Sequence, residues 1–327
     1  MHTVKLTCSG LTVSPLALGT TGFGTTLDQN EAFYQMDEFF ISGGNFIDTA
    51  HVYGCSPNVS EMHASEKFVG RWMKERNNRK DVVISTKGGH PILTDPAFRP
   101  RLSRKEILKD LDESLSHLQT DYIDLYFLHR DDESMPAGEI IETMEEIRKT
   151  GKILNYGFSN WKTARAAQAR AYSLEKGYPG FSVNQLMWSL AHVKHDEITD
   201  KTLVAMDADM YAWHKETGTG AMAYRSIAKG FFTKRYMSAS VRNDLKPVFE
   251  TGINDRIYNE LLRLQEETGL GITLLSLMYF LYQPFPSVAI ASFSKREQLS
   301  EGLTLLTEKP DEGLSKHLQA LRSDLNE

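Results

Sequence analysis

Eight short apolar runs alternate along this chain with longer segments of helical spacing, and this alternation constrains the fold more than any other feature. Such runs are typical of parallel strands that are joined by helices. No Gly-x-Gly-x-x-Gly motif follows any run, as an open dinucleotide-binding sheet would require. We therefore predict an α/β fold, a closed (β/α)8 TIM barrel. The predicted strands cover residues 16–19, 45–48, 82–87, 123–129, 153–159, 182–185, 221–224 and 288–291.

Helical segments follow most of these strands, and two of them have clear beginnings. Asp28 precedes a helix that we expect to end at Ile41, and Ser103 precedes a helix that ends at Leu118. Both residue types are common N-caps because their side chains accept hydrogen bonds from free backbone N–H groups. Further helices are predicted over 65–76, 139–150, 162–176, 202–217, 255–267, 273–282, from 295 onward and 314–325. With an N-terminal hairpin over 4–7 and 11–13 and the extra C-terminal helices, we expect one domain over residues 1–327.

The composition is that of a globular protein and makes several kinds of partner unexpected. Its 41% hydrophobic and 24% charged residues are typical of a chain with a packed core. The net charge of −6, without a Lys or Arg cluster, gives no reason to expect nucleic acid or a membrane as a partner. No run approaches the ~18 apolar residues of a membrane span. With only Cys8 and Cys55 we expect no disulfide framework and a cytoplasmic location.

Polar side chains stand at the carboxyl ends of six predicted strands. In (β/α)8 enzymes these ends form the face that carries the chemistry. Each residue taken alone also fits an ordinary role, such as a turn-forming Asp or a hydrogen-bonded core His. Charged groups at one apolar barrel mouth would be costly unless they paired with one another, which favours a joint function. The residues are Asp48, Lys87, His129, Ser159 with Asn160, Gln185 and Tyr224.

Tyr53 follows the second strand by five residues and is the candidate proton donor. A free phenol has a pKa of ~10, which is high for proton transfer near neutral pH. A nearby Lys87 ammonium would lower the pKa of Tyr53, and Asp48 would hold Lys87 by an ion pair. His129 would hydrogen-bond a substrate oxygen or share in proton delivery. These residues lack a recognised metal-ligand spacing, so we predict no metal site.

Five segments of the chain together resemble the aldo-keto reductase family, in the order in which that family carries them. They lie between Leu16 and about Leu303, and their combination is highly specific. The resemblance implies a barrel that binds NAD(P)H in an extended form, and an oxidoreductase that reduces an aldehyde or ketone. The segments are FIDTAHVYG (46–54), VVISTKGG (82–89), DLYFLHR (124–130), GFSNW (157–161) and VNQLMWS (183–189).

The resemblance also implies roles for individual residues. The implied catalytic tetrad consists of Asp48, Tyr53, Lys87 and His129. The implied cofactor is NADP(H), with NAD as the alternative, and Tyr224 would stack on the nicotinamide ring. The implied cofactor-binding residues are Thr20, Asp48, Ser159, Asn160, Gln185, Tyr224, Arg225, Ser226, Ala228, Lys229, Gly230, Ser292, Ser294, Lys295 and Gln298.

The chain departs from the family pattern in two segments. Arg225 stands where the family often has Ser, and it fits either a contact to the pyrophosphate or an exposed surface cation. Ser292 and Ser294 stand where relatives commonly place Lys or Arg against the 2′-phosphate, although Lys295 follows directly. Gly302 replaces a frequent Asn near the adenine. These changes leave NADP over NAD as a preference of the sequence and no more.

Aromatic and imidazole side chains form the predicted rim of a substrate pocket, because pockets are lined mostly by such groups. Ordinary core packing is an equally good interpretation of each. The set suits sugars and aryl carbonyls alike, so we expect a small-molecule carbonyl substrate without knowing which. The sequence does not indicate an oligomeric state. The rim residues are Phe23, His51, His90, Trp161, Trp188 and Phe231.

Two other functions use a barrel of this kind. Some members of the resembled family are cofactor-sensing regulatory subunits of channels, but the complete tetrad weighs against that role. A phosphate-sugar isomerase or lyase would use Lys87 to form a Schiff base with its substrate. Such enzymes usually carry Gly-rich phosphate loops after the seventh and eighth strands, and this sequence lacks them there.

Overall fold

Eight parallel strands close into a barrel in the computed structural model of this chain. The structure describes residues 2–6, 9–55, 61–237, 241, 243, 245–309 and 311–325. A short antiparallel hairpin of β1 (Val4–Lys5) and β2 (Thr12–Val13) precedes the barrel. The barrel strands are β3 (Leu16–Gly19), β4 (Phe46–Asp48), β5 (Val83–Gly88), β6 (Ile123–Leu128), β7 (Ile153–Ser159), β8 (Val183–Met187), β9 (Gly220–Tyr224) and β10 (Ser287–Ala291), and β10 pairs with β3 to close the ring.

Helices surround the barrel, and several extra ones follow the seventh and eighth strands. Each end of every predicted barrel strand lies within two residues of its observed position, so the predicted (β/α)8 fold is confirmed. The helices are α1 (Gln29–Ile41), α2 (Ala64–Arg76), α3 (Arg104–Leu118), α4 (Ala137–Lys149), α5 (Thr163–Lys176), α6 (Ala208–Thr217), α7 (Phe231–Tyr236), α8 (Lys246–Phe249), α9 (Gly252–Thr268), α10 (Ile272–Met278), α11 (Arg296–Thr307) and α12 (Glu312–Ala320).

The two predicted helix caps are present. The Asp28 side chain accepts a hydrogen bond from the backbone N–H of Glu31 and begins α1. Ser103 begins α3 with a capping box, in which Ser103 and Glu106 each accept a hydrogen bond from the other's backbone N–H. Caps of this kind contribute about 1 kcal/mol each. They explain why the beginnings of these two helices could be predicted to the residue.

The predicted helix over 202–217 was wrong in its first part. Helix α6 begins only at Ala208, where the Asp207 side chain accepts a hydrogen bond from the N–H of Met210. The preceding residues are instead extended, because Ala205 forms a bridge with Met187 at the end of β8. The short helices α7 and α8 were not predicted, since neither is long enough to show a helical repeat.

The hairpin packs against the end of the barrel at which the strands begin. Leu6 and Val13 share a buried apolar cluster with Phe46, Val183 and Val288, which lie at or next to the first residues of their strands. Thr7, the last residue of the first predicted hairpin strand, and Cys8 lie outside the described residues. The opposite end of the barrel, where the strands end, is therefore the end left for a binding site. Over the described residues, we find no helix whose length and apolarity would let it cross a membrane.

Candidate active site

A cavity of about 680 Å³ opens where the barrel strands end. Its lining includes the last residues of β4, β7 and β9, which are Asp48, Ser159 and Tyr224, together with Gln185 of β8. Ligand pockets in proteins have volumes of roughly 300–1,000 Å³. The topology of the barrel alone brings these four polar residues, which are distant in sequence, to one wall.

Lys87 lies beneath this wall and connects the Asp48 carboxylate to the Tyr53 hydroxyl. Its Nζ donates hydrogen bonds to Oδ2 of Asp48 at 2.7 Å, to the carbonyl oxygen of Thr49 at 2.7 Å and to the hydroxyl of Tyr53 at 3.3 Å. The Lys87 side chain is fully buried and does not itself line the cavity, whereas Tyr53 does. An ammonium with three acceptors has all of its N–H donors satisfied, so its orientation is fixed.

Asp48 is held as firmly as the lysine that it binds. Its Oδ1 accepts hydrogen bonds from Ser85 Oγ at 2.7 Å and from Gln185 Nε2 at 2.9 Å. Burial works to lower the pKa of Lys87, but Asp48 and Tyr53 outweigh it and raise that pKa above its usual value. Lys87 therefore carries its positive charge at neutral pH and lies 3.3 Å from the phenol.

The pKa of Tyr53 does not follow the sequence-based expectation. Burial raises the pKa of the Tyr53 hydroxyl, the Lys87 ammonium opposes that rise, and the Asp48 carboxylate adds to it. The net pKa lies above 10 rather than below it, because desolvation of the phenolate outweighs the nearby cations Lys87 and Arg130. Lys87 does lower the pKa of Tyr53, as predicted, but the predicted net decrease of that pKa was wrong.

His129 and His90 form a neutral pair of imidazoles beside Tyr53. The His129 ring lies edge-on at 5.9 Å from the Tyr53 ring and 4.8 Å from the His90 ring. Burial lowers the pKa of His129 well below its usual value, with nearby Arg130 adding to the effect, and it lowers the pKa of His90 to about 4. A neutral imidazole offers one hydrogen-bond donor and one acceptor at pH 7. Both rings border the cavity.

Asn160 joins the ends of three strands on the same side of the cavity. It adopts a left-handed backbone conformation with φ 64°, which Asn tolerates better than most residues. Its Nδ2 donates to the carbonyl oxygen of His129 at 3.2 Å and to Ser159 Oγ at 2.9 Å. Its Oδ1 accepts from the Tyr224 hydroxyl at 2.6 Å and from the N–H of Val204 at 3.1 Å. This network fixes the direction of the Tyr224 ring.

The loop after β9 has an unusual backbone. Arg225, Ala228 and Lys229 have φ values of 55°, 48° and 54°, followed by Gly230 at 75°. A non-glycine residue in the left-handed backbone conformation costs of order 1–3 kcal/mol, and such residues occur mainly at functional sites. Within the loop, the N–H groups of Ala228 and Gly230 donate to the carbonyl oxygens of Arg225 and Ile227, both at 2.7 Å. All but Ala228 of these residues, and Ser226, line the cavity.

The far end of the cavity is lined by residues that follow β10. Ser292 donates a hydrogen bond to the carbonyl oxygen of Gly19 at 2.8 Å, and Gln298 accepts from Ser294 Oγ at 3.0 Å. All three side chains line the cavity, whereas Lys295 directly before α11 does not. Gly302 has no side chain, and the Phe293 ring occupies the space that a Cβ at residue 302 would fill.

Several predicted cofactor and rim residues do not line the cavity. Thr20 and Ala228 are buried behind its wall, and the Thr20 hydroxyl donates to the carbonyl oxygen of Asp48 at 3.0 Å. Phe23 and Phe231 are buried in the core. Trp161 and Trp188 face the helical layer, where Trp161 Nε1 donates to the Arg130 carbonyl oxygen and Trp188 Nε1 donates to the Tyr279 hydroxyl. His51 faces Glu113 of α3. His90 alone of the predicted rim residues lines the cavity.

Arg130 is a cavity residue that the sequence analysis missed. Its side chain is almost fully buried and donates to the His129 carbonyl oxygen at 2.9 Å, to Thr202 Oγ1 at 2.9 Å and to the Asp200 carboxylate at 3.3 Å. Arg130 and the Asp200 carboxylate that it binds both line the cavity, so this wall carries an ion pair. Its position directly after His129 at a strand end was the available signal.

Comparison with known proteins identifies the relatives of this chain. A model described as the aldo/keto reductase family matches residues 15–317. The chain is 36% identical over 227 residues to the uncharacterized oxidoreductase YrpG of Bacillus subtilis, which is 68% of this chain and 65% of that protein. It is 33% identical over 202 residues to norsolorinic acid reductase of Aspergillus flavus, 58% of this chain and 50% of that protein. An aldo-keto reductase of Aspergillus calidoustus, ausK, is 26% identical over 333 residues, 96% of this chain and 80% of that protein. The chain thus spans between half and about two-thirds of the first two relatives.

Proposed function

Because this chain belongs to the aldo/keto reductase family, we propose that it reduces an aldehyde or ketone to the alcohol with a hydride from NADPH. The observation that carries this proposal is the Lys87 ammonium, which donates both to the Asp48 carboxylate and to the Tyr53 hydroxyl at the cavity wall. Relatives of the chain are reductases and oxidoreductases by name, which supports carbonyl reduction as the general reaction. None of those names indicates a regulatory subunit.

The shape and chemistry of the cavity fit an extended dinucleotide. Ser159 and Gln185 at the barrel mouth offer polar groups to a carboxamide, and the Tyr224 ring offers a flat face to the nicotinamide. Arg225, in the loop 225–230, offers a cation to a pyrophosphate. When bound there, the reduced nicotinamide supplies the hydride. These residues would hold the nicotinamide beside Tyr53.

Tyr53 supplies the proton in this proposal. Although its pKa lies above 10, the phenol remains far more acidic than the alcohol that an alkoxide becomes, so it protonates the developing alkoxide readily. The neutral His129 ring donates or accepts a hydrogen bond at the same substrate oxygen without competing for the proton at neutral pH. Lys87 stabilises the phenolate that Tyr53 leaves behind.

The Schiff-base alternative is disfavoured by the position of Lys87. Its amine is buried, has three hydrogen-bond acceptors and is held in the charged form by Asp48. A protonated amine is not a nucleophile, and Lys87 does not line the cavity that would hold a carbonyl.

Lys295 tests the preference for NADPH over NADH. It is the N-cap residue of α11, beside the cavity residues Ser294 and Gln298, and the adjacent Arg296 is already bound to Glu31 at 2.8 Å. We expect Lys295→Ala to weaken NADPH at least about tenfold and NADH less than about twofold, because only NADPH carries a 2′-phosphate. The measurement is a fluorescence titration with each cofactor, and Lys74→Ala on the exposed face of α2 is the control. An equal loss for both cofactors would show that Lys295 does not contact the 2′-phosphate.

A direct test of the proposed function begins with the wild-type protein. NADPH and NADH are titrated by fluorescence, and the tighter cofactor is then supplied with a panel of aliphatic, aryl and sugar aldehydes and ketones. We expect one saturable site and multiple turnovers with at least one carbonyl. Tight cofactor binding without turnover across the panel would favour a sensing role instead.

A further inference from the structure

Three histidines from separate segments meet on the outer side of the loop that carries Tyr53. His51 lies in that loop, His63 is the N-cap residue of α2 and His117 lies in the last turn of α3. The His63 ring lies 4.3 Å from the His51 ring and 4.7 Å from the His117 ring, between ring centroids. One nitrogen from each of the three rings lies within 4.8 Å of the others. All three residues are partly exposed, and 15% of the surface of the His51 and His117 side chains is open to solvent.

We propose that this histidine cluster, formed by His51, His63 and His117, binds a Zn²⁺ ion or a similar divalent transition metal. Imidazole nitrogen is a preferred ligand of Zn²⁺, and sites with three protein ligands take water as the fourth. At Zn–N distances of about 2.0–2.1 Å, two nitrogens bound to one ion lie at most about 4.2 Å apart.

Further support comes from the hydrogen bonds of the three rings, because in each ring one nitrogen lies beside an oxygen atom. His51 Nε2 lies 2.8 Å from the Glu113 carboxylate, and His117 Nδ1 lies 3.0 Å from the Glu66 carboxylate. His63 Nδ1 lies 2.6 Å from the carbonyl oxygen of His51. Each ring can therefore donate one N–H to an oxygen and keep the lone pair of its second nitrogen. Metal-binding histidines almost always have a carboxylate or carbonyl partner of this kind.

Glu66, the partner of His117, adds a buried carboxylate to the surroundings of the cluster. Its side chain is fully buried, and its partners among the described residues are the Thr86 hydroxyl at 2.6 Å and His117. A buried carboxylate is costly unless a positive charge compensates it. A divalent ion on the far side of the His117 ring supplies that charge. Glu113 adds a second carboxylate to the same cluster.

Cys55 lies beside the cluster but not as a ligand. Its Sγ lies 3.2 Å from Nδ1 of His63, the nitrogen that already donates to the His51 carbonyl oxygen. The ring nitrogens that lie within 4.8 Å of one another belong to the three histidines, without the Cys55 thiol among them. The proposed ligand set is therefore three imidazoles and a water.

Direct metal binding tests this proposal without relying on enzyme activity. Full-length protein without a histidine tag is freed of metal with EDTA, desalted and titrated with Zn²⁺ by calorimetry. We expect the wild type to bind one Zn²⁺ per chain. His63→Ala and His117→Ala should each weaken this binding at least about tenfold. The control His195→Ala, which alters an exposed histidine elsewhere, should leave the binding unchanged. Ca²⁺, which prefers oxygen ligands, should give no comparable binding.

Two measurements guard against a misleading result. Circular dichroism shows whether each variant is folded, and an unfolded alanine variant is replaced by the matching glutamine variant in the same comparison. X-ray absorption of the Zn²⁺ complex should show nitrogen and oxygen neighbours at about 2.0–2.1 Å and no sulfur. Binding that is absent in the wild type, equal in both His variants and the wild type, or made through sulfur would overturn the proposal.

Discussion

Tyr53→Phe is expected to lower the turnover number for carbonyl reduction by about 10²–10⁴-fold, the usual contribution of a positioned proton donor. The substitution removes the hydroxyl that receives a hydrogen bond from Lys87 at 3.3 Å and keeps the ring that packs against His129. NADPH affinity should therefore change little. The measurement is steady-state NADPH oxidation with the best carbonyl of the panel, beside a fluorescence titration of the cofactor.

Tyr122→Phe is the matched control for this prediction. Tyr122 is also a phenol beside a cation, since the Arg79 guanidinium lies 4.0 Å from its ring centroid, but it does not line the cavity. The control should retain wild-type turnover. If Tyr53→Phe also retained it, Tyr53 would not be the proton donor, and His129 or a water molecule would have to take its place.

Lys87→Met is expected to damage both activity and stability. It leaves the Asp48 carboxylate buried without its cation, and breaking a buried ion pair in this way costs about 3–5 kcal/mol. It also removes the group that opposes the rise in the Tyr53 pKa. The pKa of Tyr53 then rises further, so proton donation becomes harder and the phenolate scarcer. Chemical denaturation and steady-state kinetics measure the two effects.

The direction of the pH effect distinguishes this mechanism from simple unfolding. Carbonyl reduction needs the protonated phenol, so its rate should stay flat through neutral pH and fall only as pH rises through a Tyr53 pKa above 10. Alcohol oxidation needs the phenolate, so its rate should increase with pH, and in Lys87→Met that increase should move to higher pH. An unchanged pH profile at full activity would count against coupling between Lys87 and Tyr53.

A double variant separates charge from catalysis. Asp48→Asn with Lys87→Met removes both charges of the buried pair, so no carboxylate is left without its cation. We expect it to recover most of the stability that Lys87→Met loses, but none of the activity. Recovery of both would mean that Lys87 acts only on folding.

The barrel and the positions of its polar strand ends could be predicted because they depend on local patterns. Strand periodicity, the caps Asp28 and Ser103, and the rule that strand ends share one face were sufficient. The start of α6 was mispredicted because Ala205 pairs with β8, a contact from another part of the chain. A local pattern carries no information about such a pairing.

The substrate rim was less predictable, because a side chain near a strand end can face either the cavity or the helices. Trp161 and Trp188 follow strands whose ends reach the cavity, yet both indoles are buried among helices and loops. The net pKa of Tyr53 could not be predicted from sequence either, because it depends on whether the effect of burial or that of the Lys87 charge is larger. The histidine cluster combines residues 51, 63 and 117, whose spacing resembles no metal motif.

Transfer of deuterium from the cofactor tests most directly whether this chain is an NADPH-dependent carbonyl reductase with Tyr53 as its acid. NADPH carrying two deuterium atoms at C4 is supplied to wild type and Tyr53→Phe with the best carbonyl, and the alcohol is analysed by mass spectrometry. The account predicts one deuterium on the former carbonyl carbon for wild type and almost no labelled alcohol for the variant. Unlabelled alcohol from the wild type, or equal labelled product from both proteins, would contradict it.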